Sequence, residues 1–237
     1  MRKHEEEFKV YATKGVCPFG ANAVKTGKYE YLVVETAMSD PSTAIQVCSG
    51  LYKFVEKFEI GSIGVAGKLA PDNFASFDVA FTKTEFVSEE DAALQLYTLL
   101  VNMHNYDKSQ NYSWAEGISS DPHSPNFQMS IGGYAWFLPL LWPGAYAPSR
   151  RSEHVFLPWQ SNNLFDALRR TGKYEAAQKT VRDNEIKMHG FVPALLGQLG
   201  QNLEILSYLL PNEDNANLVW DALKQAGGDY PFGKPYA

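Results

Sequence analysis

His104 closes an apolar helical face and is followed by Asn105-Tyr106-Asp107, and its type and place allow more chemistry than any other residue's. An imidazole beside a helix C-terminus can ligate a metal, act as a general base, or be a satisfied core group. Its company points to binding. Tyr106, Asp107, Trp114 and Trp136 can wall a large apolar cavity with a few polar groups. Arg150-Arg151 suggests an anion clamp, because paired guanidinium groups match carboxylate or phosphate in a planar, bidentate way; a solvated turn is the plainer alternative. Asp121-Pro122 and Pro125-Asn126 suit turn chemistry, which makes Asp121 structural first. His123 and His154 read as a surface and a strand histidine. Cys17, in a Gly/Pro-rich stretch, is either an exposed thiolate able to ligate iron or a buried, inert thiol.

Other chemistries are excluded by spacing. Cys17 and Cys48 form no C-x-x-C, and no two histidines stand in metal-ligand spacing, so neither a disulfide framework nor a structural zinc site is expected. No G-x-S-x-G elbow for a serine hydrolase exists. Gly61, Gly64 and Gly67 make G-x-x-G-x-x-G, which is not the dinucleotide fingerprint and reads as a loop.

The elements that must position these residues follow from periodicity. Residues 1–13 are a charged, partly helical lead-in, and the Gly15 to Gly20 stretch with Pro18 breaks regular structure before a short helix over Ala21 to Lys25. Tyr29 to Glu35 reads as a strand. Asp40-Pro41 starts a helix whose apolar stripe runs Ala44, Val47, Leu51, Phe54, Val55, Phe58. Phe77, Val79 and Phe81 alternate as a half-buried strand, and Ser88 followed by acidic residues caps the helix that carries Ala93, Tyr97, Leu100 and His104 on one face. Phe127, Met129 and Ile131 alternate before a tight reversal at Gly132-Gly133, and Tyr134 to Leu141 returns as a strand interrupted at Pro139 and Pro143. A short strand over Glu153 to Leu157 is followed by helices over Asn163 to Arg170 and Tyr174 to Met188, broken helix over Leu195 to Leu210, and a helix over Asn215 to Gln225; the tail, 229–237, is extended.

Consecutive strands without crossover helices imply a mostly antiparallel sheet covered by helices, with a helical C-terminal part: one α+β domain over residues 1–237. Polar, aromatic and ionisable side chains are densest between Ser88 and Trp159. The composition is globular, with 45% hydrophobic and 20% charged residues, and the net charge of −6 argues against a nucleic-acid or anionic-membrane partner. No apolar run approaches the roughly 20 residues of a membrane helix, and Met1 to Glu7 lacks the apolar core of a signal peptide, so a cytoplasmic location is expected.

Several pieces, taken in order, resemble the YqcI/YcgG-like family, which includes heme-dependent N-hydroxylases of arginine-like or lysine-like substrates. They are Cys17-Pro18-Phe19-Gly20 with Ala23, the helix ending Met103-His104-Asn105-Tyr106-Asp107 (Leu-His-x-x-Asp in the family), and Trp114. Ser120-Asp121-Pro122, Pro125-Asn126-Phe127 and Met129-Ser130-Ile131-Gly132-Gly133 come next. Ser149-Arg150-Arg151, Val155-Phe156, Phe165 to Arg169 with Gly172-Lys173-Tyr174, Val181-Arg182-Asp183, and Gly190 with Pro193 complete the set. Where relatives carry His-Pro before the Ser-Arg segment, this chain has Trp142-Pro143, and the relatives' Ser-Glu-Ala-like run is reduced to Leu203-Glu204-Ile205.

The resemblance implies a heme b-dependent monooxygenase that uses O2 and an electron donor to hydroxylate a nitrogen, amine or guanidine, of a small amino-acid-like substrate. On that reading His104 ligates the iron, with Cys17 or another histidine as the alternative. Arg150 and Arg151 pair with heme propionates or a substrate carboxylate. Asp107, Asp121 or Glu204 holds the cationic nitrogen, and Trp114, Tyr134 and Trp136 pack the porphyrin faces. The alternatives are a heme protein that only binds or senses ligands, and a cofactor-free small-molecule-binding protein. A homodimer is compatible with either.

Overall fold

A computed structural model of the chain describes residues 2–14, 17–60, 75–196 and 203–233. The Gly61, Gly64, Gly67 run lies outside the described residues. Among the described residues, five strands form one sheet: β1 (Tyr29–Val34), β2 (Ser76–Phe81), β3 (Met129–Ile131), β4 (Tyr134–Phe137) and β5 (Val155–Ser161). Their spatial order is β1-β2-β5-β4-β3. Only β1 and β2 pair in parallel, through the crossover that contains helix α3 (Pro41–Lys57); the other pairs are antiparallel. The α+β class and the mostly antiparallel sheet are therefore found as expected.

Local chemistry sets the long helices. The Asp40 carboxylate accepts the Ser42 N–H at 2.8 Å and Pro41 takes the first turn of α3. Ser88 Oγ accepts the Asp91 N–H at 3.1 Å to cap α4 (Glu89–Ser109), whose first turn is acidic at the positive helix end. The hairpin between β3 and β4 turns on Gly132 and Gly133, at φ 66° and 77°, a backbone that side-chain-bearing residues rarely adopt.

The remaining helices are α1 (Arg2–Lys14), α2 (Pro18–Thr26), α5 (Asn162–Arg170), α6 (Tyr174–His189), α7 (Glu204–Leu209) and α8 (Ala216–Gly227). Several elements differ from the sequence expectation: β2 is buried along its whole length rather than half-buried, and the tail turns at Tyr230 to Gly233 with Phe232 buried rather than running extended, residues 234–237 lying outside the described residues. Pro18 does not break structure; it starts α2 three residues earlier than expected, since a missing N–H is harmless in the first turn. β4 stops at Phe137, and β5 continues to Ser161 instead of ending at Leu157.

Alternation along the strands sorts the molecule into two sides. Phe77, Val79, Phe81, Leu157, Trp159 and Trp136 point into the main core, where α3, α4 and α8 pack. The opposite face carries Ala80 and Phe156 under Phe8 and Ala12 of α1, and further along it Ser76, Pro158, Gln160 and Phe137 border a cavity.

That cavity begins where the ladder stops. Leu141 and Phe156 exchange both backbone hydrogen bonds at 2.9 Å, and Phe137 pairs with Gln160. Continuing either register places Pro139 opposite Pro158, at the next position where an antiparallel pair would exchange two bonds. Neither proline has an N–H to give. Between them, Leu138 and Leu140 turn into the main core, and the Leu140 N–H goes to the Tyr208 carbonyl of α7 at 2.7 Å. Helix α7 is held from both ends: Tyr97 on α4 donates to the Ile205 carbonyl at 3.1 Å, and the Tyr208 hydroxyl accepts the Met129 N–H at 2.9 Å and donates to the Trp136 carbonyl at 3.2 Å.

Candidate functional site

The cavity encloses about 180 Å³ between the proline-interrupted face of the sheet, α1, α2, α6 and α7, and it opens to solvent on one side. Its walls are mainly apolar, with Phe19 and Phe137 packed edge-on against Phe165 at 5.6 and 6.1 Å between ring centres. Cys17 lines it at the N-cap of α2. Ser76 lines the floor and donates to Asp78 at 2.8 Å, a fully buried carboxyl that burial pushes well above the usual carboxylate range.

Charge in this apolar chamber comes from three buried groups and from the half-buried Arg182 of α6. Arg150 sits on a 3-10 turn over Pro148–Arg150, which turns its side chain inward over the Phe137 ring, 6.0 Å from its centre. It donates to the Ser207 carbonyl of α7 at 3.3 Å. Glu185 comes from α6 and Glu204 from the first turn of α7, at 1% and 3% exposure. Arg150 Nε, Glu185 Oε2, Glu204 Oε1 and Ser149 Oγ are buried and have no hydrogen-bond partner among the described residues. No ion pair joins Arg150 to either glutamate, although both acids lie near enough to favour its charge. Burial lowers the Arg150 guanidinium's affinity for its proton and pushes Glu204 up to about 8, against the pull of Arg169 and Arg150. Isolated charges are rarely left in an apolar interior without partners.

The residues singled out from the sequence divide between the two sides of the sheet. Arg150, Cys17 and Glu204 come together at the cavity. Arg151 does not join Arg150: it is exposed and donates to the Ala145 and Tyr146 carbonyls at 2.8 and 3.1 Å, tying down the preceding loop. His104 stands on α4, on the core side of the sheet, half-buried edge-on against Trp114 at 5.5 Å and Phe232 at 6.0 Å. Burial lowers its pKa, with Lys108 adding to the shift. Trp136 packs against Phe54 and Trp159 and donates to the Ile131 carbonyl at 3.0 Å, with Tyr134 beside it. Asp107 is buried and accepts the Tyr52 hydroxyl and the Gly132 N–H, both at 2.8 Å, which pins the hairpin to α3 and α4. Asp121 accepts the His123 N–H at 2.9 Å, as its turn chemistry implied.

Tyr11 and Glu185 were not singled out from the sequence. Tyr11 donates to the Ser149 carbonyl and lines the cavity from α1. A signal for Glu185 was present: it ends the stripe Ala177, Val181, Glu185 on α6, a carboxylate where an apolar residue is due.

With this geometry in view, comparison with known proteins gives one decisive match. The YqcI/YcgG family matches residues 8–221. The chain belongs to the YqcI/YcgG family. The matched span includes the cavity's walls from α1 to α7, among them Cys17, Arg150, Glu185 and Glu204. No curated protein and no solved structure matches the chain. No described helix is long and apolar enough to cross a membrane.

Proposed function

We propose that this member of the YqcI/YcgG family is a heme-dependent monooxygenase that hydroxylates a nitrogen of a small amino-acid-derived substrate, with the proline-gapped cavity as its site. The observation that carries this reading is the set of buried atoms without hydrogen-bond partners among the described residues, Arg150 Nε, Glu185 Oε2 and Glu204 Oε1, around one aromatic-walled space that also has a thiol. A molecule with a carboxylate at one end and a cationic nitrogen at the other satisfies them together.

The residues present fit a heme in kind. Among the described lining residues Cys17 is the one soft donor and no histidine occurs, so Cys17 rather than His104 would hold the iron. Bound there, the heme supplies O2 activation, and a thiolate ligand favours O–O cleavage by pushing electron density to the iron. The chain's own part is positioning and exclusion of water. Arg150 holds an anionic group. Glu185 and Glu204 draw the cationic nitrogen inward. Phe19, Phe137 and Phe165 keep the space dry.

The test is an absorption spectrum of protein made with ample iron and heme precursor, followed by hemin titration. A Soret band at one heme per chain is expected. Cys17→Ser should abolish its thiolate signature in the reduced, CO-bound form, and His104→Ala should leave it intact. Product formation dependent on O2 and an electron donor then separates an enzyme from a heme-binding sensor.

A second reading, a cofactor-free binder of small zwitterions, is favoured by the enclosed volume. About 180 Å³ is near the size of cavities that admit a single small ring, so a porphyrin would extend beyond the enclosed space. Protein that stays colourless after reconstitution would decide for it.

A further inference from the structure

Glu204 is the buried acid of this cavity whose environment is most fully defined. It opens α7, and α7 is fixed by Tyr97 at one turn and Tyr208 at the next, so the carboxyl has little freedom to leave. It is 3% exposed, and its Oε1 has no partner among the described residues. The groups that act on it are Arg150 from the 3-10 turn, Arg169 from α5 and Tyr208 on its own helix, and Arg182 and Glu185 of α6 line the same cavity. Arg169 is already engaged by Asp166 at 2.6 Å and by the Tyr174 ring. Arg150 gives a hydrogen bond to Ser207 and leaves Nε open.

An ammonium nitrogen has no lone pair, so any oxidation at that nitrogen requires its proton to be removed first. We propose that Glu204 is the proton acceptor of the cavity: its carboxylate takes a proton from an aliphatic ammonium group of the bound molecule, while Arg150 holds that molecule's anionic end. One N–H bond breaks and one O–H bond forms, the electron pair stays on nitrogen, and nothing is oxidised in this step. The proposal rests on the cavity being a substrate site.

Glu204's environment also bears on the proton transfer. Burial brings its carboxyl to about 8, within a few units of an amine near roughly 10.4 and much farther from a guanidinium above about 12. Because the free carboxyl is mostly protonated at neutral pH, binding an ammonium group must first expel that proton to solvent.

The experiment is calorimetric titration of the full-length protein with L-lysine, L-arginine and L-norleucine, in buffers of differing ionisation enthalpy, from pH 6 to 9. L-Lysine should bind with release of close to one proton at pH 7 and almost none at pH 9, and its affinity should rise about tenfold per pH unit below 8. L-Norleucine, without the terminal nitrogen, should release none. Glu204→Gln, which keeps the shape, should lose the release and flatten the pH dependence. Wild-type binding without proton release, an unchanged release in Glu204→Gln, or no binding of L-lysine would each overturn the proposal. The wild-type pH series stands even if the variant fails to fold. The heme reading is scored separately by the visible spectrum: colourless protein that releases the proton keeps this proposal, and a Soret-bearing protein that does not release it refutes this proposal alone.

Discussion

Pro139 and Pro158 both line the cavity, and the register shared by the Phe137–Gln160 and Leu141–Phe156 pairs, extended between them, sets the two prolines opposite one another, where neither has an N–H to donate. Flanking pairs hold the strands together on both sides, so the sheet is spread rather than ended, and the cavity occupies the spread. Two proline rings also stiffen the unfolded chain, which offsets part of the lost bonding. Replacing both with valine would return two N–H donors, each worth about 1 kcal/mol once paired, against about 0.4–1 kcal/mol per proline of lost chain restriction. Net stability should therefore move by no more than about 1 kcal/mol. Pairing would draw the strands together under Phe137, and small-ligand binding should be lost. Denaturant melts with calorimetry check both parts.

Asp107 has a different kind of importance. Its carboxylate joins the Tyr52 hydroxyl to the Gly132 N–H, on the core side of the sheet and outside the cavity. Asp107→Ala should cost about 2–4 kcal/mol, since it leaves two donors unsatisfied and empties space at a tight reversal. Folded Asp107→Ala should nevertheless bind cavity ligands as the parent does. A lower unfolding midpoint with unchanged ligand affinity is the expected pair of results.

The frame of the molecule was legible because its signals are local. Asp40 before Pro41, Ser88 before three acids, alternation at Phe77-Val79-Phe81 and the Gly132-Gly133 turn each state their element within a few residues. The cavity was not, because it joins Tyr11 and Cys17, the proline gap, Arg150, Glu185 and Glu204, segments spread over most of the chain. Sequence reading weighted Ser88 to Trp159, where ionisable and aromatic residues are dense in the chain. That density divides between the two sides of the sheet when folded. Nothing local tells that Arg150 turns inward and Arg151 outward; the 3-10 turn at Pro148 decides it.

Asp78 offers a test of the buried face through pH. Its folded pKa is raised by burial, with Ser76 pulling the other way. A carboxyl whose folded pKa lies above its unfolded value holds its proton more tightly when folded, so its contribution to stability is present at low pH and declines as pH rises above the ordinary value of 3.8. Asp78→Asn keeps the size and removes the titration. The variant should match the parent near pH 4 and exceed it by about 1–3 kcal/mol near pH 8, the scale of a buried polar group short of partners. Thermal melts of both proteins across that range are sufficient. Parallel pH curves for the two would show that Asp78 is not held neutral by the fold.

Arg150 and Arg151 allow the sharpest comparison, because they are neighbours in sequence with opposite surroundings. Arg151→Ala removes two surface hydrogen bonds to the Ala145 and Tyr146 carbonyls, and stability should fall by less than about 1 kcal/mol with ligand affinity unchanged. Arg150→Met keeps the apolar stem and removes the charge from beside the cavity. A carboxylate-bearing amine should then bind about 10–100-fold more weakly, the scale of a hydrogen bond to a charged partner, whereas the corresponding diamine without a carboxylate should bind nearly equally to both proteins at pH values well above the midpoint. Arg150 also pulls Glu204 down, so its loss should move the pH midpoint of amine binding upward from about 8. A structural role for Arg150 would weaken both ligands alike and leave that midpoint in place, so the carboxylate-selective loss and the upward shift together identify it as the anion seat.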